Sequence, residues 1–165
     1  MNRKGFTLVE LTVVMFLVGM MLLIAVPRVR DAALTDGLKT TVNYMNRAFR
    51  EMKSMSVRSQ VDYVIVMDLD EGFLYSHSTD MTPEAIYELK KRAYRLPRDV
   101  RIADMYRPGK DKISSGEGRV IFFKQGYVQP TVIHLVREEE SFTLVMSPFM
   151  NEIKTYHRYI DFETL

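Results

Sequence analysis

Hydrophobic and polar positions along this chain fall into three regimes. Residues 6–26 read FTLVELTVVMFLVGMMLLIAV, with Glu10 as the only charge. Apolar residues cover every face of such a helix, which suits a lipid surround better than the core of a 165-residue chain. At 1.5 Å per residue the stretch would reach about 31 Å, against a hydrocarbon thickness of about 30 Å. Arg3 and Lys4 stand before it, and Arg28 and Arg30 after it. Basic residues at a short N-terminus favour the cytoplasmic side, so the rest of the chain is expected beyond the membrane. A secretory signal peptide fits less well. Its apolar run is shorter and ends in a small-residue cleavage site, whereas this one runs into Val26, Pro27 and Arg28.

The second regime covers residues 29–55. Apolar residues recur at Val29, Ala33, Leu34, Leu38, Val42, Met45, Phe49, Met52 and Met55, mostly at steps of three or four. That spacing predicts one amphipathic stripe on a continuing helix. Residues 6–57 together would form a helix of about 78 Å, bent near Pro27 and softened at Gly37.

The third regime is β-rich. Strands are predicted over 61–67 and 73–76, joined by a turn at 68–72. Thr82, Pro83 and Glu84 open a short helix running to Tyr94, stopped by Pro97. Further strands are predicted over 100–102, 119–124, 131–136 and 142–146, with residues 107–118 as a loop and acidic residues 138–140 as a turn. Residues 153–159 complete the pattern as an edge strand. The fold class is α+β: a long N-terminal helix followed by an antiparallel β-sheet domain packed on it.

Composition removes several function classes. There are 23 Lys and Arg against 21 Asp and Glu, and a net charge of +2 does not by itself argue for nucleic acid. The absence of cysteine excludes thiolate metal sites, a cysteine nucleophile and disulfides. The twelve methionines read as packing residues. His77, His134 and His157 share no ligand spacing and read as surface or strand residues. Asp68, Asp70 and Glu71 begin like a calcium loop, but Thr79 stands where the closing Glu belongs, so a solvated turn is the better reading. No nucleophile motif surrounds Ser114, Ser115 or Ser141, and no phosphate loop occurs. The basic run at 90–95 could touch phosphates, yet it fits the solvated face of a short helix.

The start of the apolar run carries the most specific signal. Lys4-Gly5-Phe6-Thr7-Leu8-Val9-Glu10 sets a basic leader, Gly, Phe and then a carboxylate just inside a membrane helix. A carboxylate there is costly and calls for a partner. An amine freed at Phe6 by cleavage after Gly5 would supply one, offered by a neighbouring subunit shifted along the helix axis.

This segment resembles the class III signal of type IV prepilins and pseudopilins, over residues 1–28. The resemblance implies cleavage between Gly5 and Phe6 by prepilin peptidase, N-methylation of Phe6, an assembly role for Glu10 and a helix kink at Pro27. It implies a leader at 1–5, a transmembrane helix at 6–26, its periplasmic continuation at 27–60 and a globular periplasmic domain at 61–165. The second half resembles the GspH/FimT-like minor pseudopilin domain. The carrying residues are Leu96, Pro97, Val100 and Ile102, then Val120, Phe122 and Gly126, then Ile133 and Leu135, then Leu144 and Val145. It departs from that pattern at 148–152, where a Thr-Gly turn is replaced by PFMNE.

Together these imply a non-enzymatic pilin-like subunit of a type II secretion filament, anchored once in the inner membrane. No cofactor or metal is called for. Its implied partners are prepilin peptidase, other pseudopilins or pilins, an inner-membrane assembly platform and the lipid bilayer. DNA is not among them, because the C-terminal residues 158–165 are mixed and partly acidic. Two alternatives stay open: a FimT-like minor pilin in pilus assembly, adhesion or DNA uptake, and a single-span anchored domain with no filament role.

Overall fold

A computed structural model describes residues 8–110, 112–149 and 153–161, with the side chains of 24–36 outside the description. Helix α1 spans Leu8–Ser59. Eight strands and one short helix follow: β1 (Tyr63–Asp68), β2 (Phe73–Ser78), α2 (Pro83–Lys91), β3 (Tyr94–Arg95), β4 (Arg101–Tyr106), β5 (Glu117–Phe122), β6 (Thr131–Arg137), β7 (Glu140–Met146) and β8 (Lys154–Tyr156). Contacts divide the chain into two compact units, Met1–Asp36 and Gly37–Leu165. The α+β class and the antiparallel pairing agree with the sequence pattern.

In the second unit the strands form two four-stranded sheets, ordered β3-β2-β1-β5 and β4-β6-β7-β8. The periodic face of α1 closes the core between them. Leu38, Val42, Met45, Phe49 and Met52 are buried with Ile65, Met67 and Val120 of the first sheet and Ile133, Leu135 and Leu144 of the second. Phe49 packs its ring 5.8 Å from that of Phe122. The stripe ends differently from its predicted end. Met55 is exposed, and Ser56 takes the inner position. Ser56 Oγ lies 2.9 Å from Lys53 O and 3.3 Å from Phe123 O, so its hydroxyl proton is satisfied at the last inward turn.

Three other local predictions change. Helix α2 begins as read, with the Thr82 hydroxyl accepting from the Ala85 amide and Pro83 in the first turn. It stops at Lys91 and does not reach Tyr94. Tyr94 instead pairs with Leu74 as β3 and stacks on Tyr44 of α1, with ring centroids 3.7 Å apart. Core contact overrides helix propensity there. Strand β4 runs on to Tyr106 rather than ending at Ile102, and Ile113, expected in a loop, bridges to Met105. The last strand is limited to Lys154–Tyr156.

The register of β4 shifts between Ile102 and Asp104, which marks a bulge at Ala103. Beyond it Asp104 stands opposite His134, and His134 stands opposite Thr143 on β7. These three polar residues make a buried row across the second sheet. Residues 158–160 cross this row as a strap. Thr143 Oγ1 donates to Arg158 O at 2.7 Å and accepts from the Ile160 amide at 3.0 Å. His134 Nδ1 is 2.5 Å from Asp104 Oδ1 and its Nε2 is 2.9 Å from Ile160 O. The ring is thus held between a carboxylate and a backbone carbonyl. The Tyr159 hydroxyl donates to Asp104 Oδ2 at 2.9 Å, its ring stacks on His134, and Lys112 closes the cluster on Asp104 and Tyr159. Of the two readings offered for it, surface or strand, His134 takes the second: it is a buried clasp residue of β6, 2% exposed.

Two expectations follow. Phe49→Ala should lower global stability by about 3–5 kcal/mol, because it removes a ring from the junction of helix and sheets; chemical denaturation measures it. The strap should hold through neutral pH and loosen in strong alkali. Burial raises the Tyr159 hydroxyl above its ordinary 10.0, and the hydrogen bond with Tyr159 raises Lys112 above its ordinary 10.5. Groups raised in the folded state stabilise it below their unfolded values and lose that contribution as pH rises through the folded ones. Amide exchange at Ile160 should thus accelerate above about pH 10 before the core opens, relative to core amides.

Candidate functional site

The described part of the first unit is a helix whose surface cannot be left to water. Glu10 lies in its first turn, where the positive end of the helix dipole favours a carboxylate. Around and beyond it the side chains of residues 8–23 are all exposed, among them Leu8 at 82%, Phe16 at 69% and Leu23 at 77%. Contiguous apolar surface on this scale demands lipid or other helices. Thr12, the helix's one hydroxyl in that stretch, donates to Leu8 O at 2.9 Å and so is satisfied within its own backbone. Gly19 has nothing within 4 Å of where a Cβ would stand, so this chain's own packing does not require a glycine there.

Gly5 and Phe6, the predicted cleavage and methylation positions, lie outside the described residues, as does the side chain of Pro27 with its expected kink. Among the described residues, no helix is long and apolar enough to cross a membrane. The apolar side chains described stop at Leu23, while residues 6–7 and the side chains of 24–26, which complete the predicted span, fall outside.

In the second unit, the residues weighed for chemistry are occupied with holding the fold. Asp68 Oδ1 accepts from the amides of Asp70 and Glu71 at 3.0 and 2.8 Å, and Asp70 Oδ2 accepts from the Gly116 amide at 2.9 Å. These carboxylates close a turn and tie it to the loop before β5. Among the described residues no group of three or more His, Asp and Glu side chains is placed to hold a metal ion. The Asp104–His134 pair escaped the sequence reading because the bulge that joins its members leaves no trace in their spacing. It fastens the C-terminal strap to the second sheet, and the hydroxyls of Tyr159 and Thr143 are both bound into that clasp.

The basic run is similarly engaged. Lys90 reaches Glu117 Oε1 at 3.3 Å and lies over the Phe73 ring; Lys91 reaches Glu88 Oε1 at 2.6 Å and lies over Tyr87. Arg95 also lies over Phe73. Some of the cations that make no described ion pair lie on the outward face of α1. Lys39, Arg47, Arg50 and Arg58 are exposed there and none of them makes a described ion pair. Arg47 and Arg50 line a groove with Asn43, Asn46 and Ile153.

Comparison with known proteins agrees with both halves of this description. Residues 1–26 match the prokaryotic N-terminal methylation motif. No curated protein matches the sequence significantly. Two solved structures of EpsH, the minor pseudopilin of the Vibrio cholerae type II secretion system, share the fold. One is 12% identical, covering 74% of this chain and 98% of that one with a TM-score of 0.51. The other is 11% identical, covering 76% and 97% with a TM-score of 0.54. The chain thus pairs a prokaryotic N-terminal methylation motif with a fold that is similar to that of a minor pseudopilin.

Proposed function

We propose that the chain is a minor pseudopilin, a structural subunit of the filament of a type II secretion system. The observation that carries the reading is the pairing of the N-terminal methylation motif with an exposed, all-apolar helix headed by Glu10. The likeness to EpsH supports the choice of secretion over a pilus. In this reading, prepilin peptidase cuts between Gly5 and Phe6 and methylates the new amine. Residues 6–26 anchor the subunit once in the inner membrane, and the globular unit stands in the periplasm. An assembly platform moves the subunit from the bilayer into the filament.

The physical logic is an exchange of one apolar surround for another. Lipid tails and neighbouring helices cover residues 8–23 about equally well, so burial alone does not drive assembly. Glu10 adds the bias. An ionised carboxylate at the edge of the bilayer gains when it meets the amine of a neighbour's Phe6. Pairing of that kind also fixes the axial offset between subunits, because the two groups sit at different heights on identical helices.

Three measurements test this. Replacing Gly5 by Glu should leave the chain unprocessed; a mature protein that still begins at Phe6 would refute the cleavage site. Glu10→Ala should leave the globular unit folded and lower recovery in purified filaments at least about tenfold, the equivalent of ~1.4 kcal/mol. Unchanged recovery would remove the assembly role. Deletion of the gene should strand exoproteins in the periplasm while pili remain normal. An unchanged supernatant with lost twitching or transformation would instead assign the chain to a pilus or DNA-uptake system.

A further inference from the structure

The strap over the second sheet reads Arg158-Tyr159-Ile160, with a single aliphatic side chain. It covers more than it buries of itself. Arg158 and Tyr159 are exposed and Ile160 is only half-buried. The row beneath is closed off almost completely, with Thr143 at 0%, His134 at 2% and Asp104 at 4%. Polar contacts therefore hold the strap, with little help from apolar burial. Segments held in that way lie at the low end of a protein's local opening energies. Lifting the strap leaves the hydrophobic core in place, because Ile133, Leu135 and Leu144 alternate with the row and face the other side of the sheet.

The contacts also divide by what they recognise. Thr143 Oγ1 bonds the Arg158 carbonyl and the Ile160 amide, and His134 Nε2 lies 2.9 Å from the Ile160 carbonyl. All three partners are main-chain groups, so these contacts follow the path of a chain rather than its sequence. A carbonyl and the amide two residues on turn to the same side of an extended chain, which is how one hydroxyl meets both. Tyr159 is read by its side chain. Its ring stacks on His134 with centroids 3.9 Å apart, and its hydroxyl reaches Asp104 Oδ2 at 2.9 Å and also meets Lys112. Main-chain bonds for affinity and a pocket for one side chain are what a peptide-binding groove supplies.

We propose that the Asp104–His134–Thr143 row is the floor of a peptide-binding site that residues 158–160 fill as an internal ligand, and that it receives an extended segment with a central tyrosine from another protein when the strap lifts. The strap is then autoinhibitory: it lowers the apparent affinity for an incoming segment by the fraction of time the site stands open. The site rests on the clasp geometry alone, so it stands or falls separately from the secretion reading.

The test uses the isotope-labelled full chain in detergent micelles and a synthetic peptide with the sequence of residues 157–161, HRYID. Tyr159→Ala with Ile160→Pro removes the side chain that is read and the amide that Thr143 accepts, and so opens the strap. Titrating the peptide into this variant should shift the amide signals of His134 and Thr143 to saturation. The wild-type chain, whose own strap competes, should bind at least about tenfold more weakly. A peptide with alanine in place of its tyrosine should also bind the opened variant at least about tenfold more weakly. Adding Thr143→Val, which keeps the shape of the side chain but removes its hydroxyl, should abolish binding while amide exchange in β6 shows the core still folded. Four outcomes would each overturn the proposal. They are no shift at the row in the opened variant, equal binding by the wild-type chain, binding indifferent to the tyrosine or to Thr143, and loss of the core fold when the strap is opened.

Discussion

The globular unit depends on one contact: the inward face of α1 wedged between two sheets that do not hydrogen-bond to each other. Leu38, Val42, Met45, Phe49 and Met52 form a single hydrophobic cluster with residues of both sheets. Each sheet alone is a four-stranded layer with an apolar face in need of cover. The helix supplies that cover for both. Because it is a helix, covering the sheets on one side fixes which residues look outward on the other. The inward stripe thus determines the outward presentation of Arg47 and Arg50 as firmly as it determines the core.

Around that core the polar groups divide sharply by use. The Asp104–His134–Thr143 row, the Asp68 turn and the Lys90–Glu117 bridge all satisfy partners within the unit. Each holds a segment with little apolar surface of its own: the C-terminal strap, the β1–β2 turn and the end of α2. A different set, exposed on α1 and on the β6–β7 turn, has no ion-pair partner among the described residues.

The two units present different surfaces. The apolar side chains of residues 8–23 are exposed all round, with Glu10 as the one charge among them. In the second unit, apolar residues are sorted inward and water screens what remains. In the proposed reading, a subunit inserted first and assembled later is served by this separation. The globular unit can reach its fold through its own core, while the apolar helix keeps its whole surface for lipid or for neighbours.

The sequence by itself determined what periodicity and local chemistry encode. The all-apolar run, the inward stripe at Leu38, Val42, Met45, Phe49 and Met52, the Thr82 cap and most strand positions were legible, because each depends on residues a few positions apart. The Gly5–Phe6–Glu10 pattern was legible in the same way, within the residues 1–26 that match the methylation motif. Tertiary structure decided the rest. It ended the stripe at Ser56 rather than Met55, because Phe123 presents a carbonyl there. It drew Tyr94 out of α2 onto Tyr44. It placed Asp104 beside His134 through a bulge, 30 residues apart in the chain. Burial and pairing between distant segments are set by which surfaces meet, and no local spacing records that.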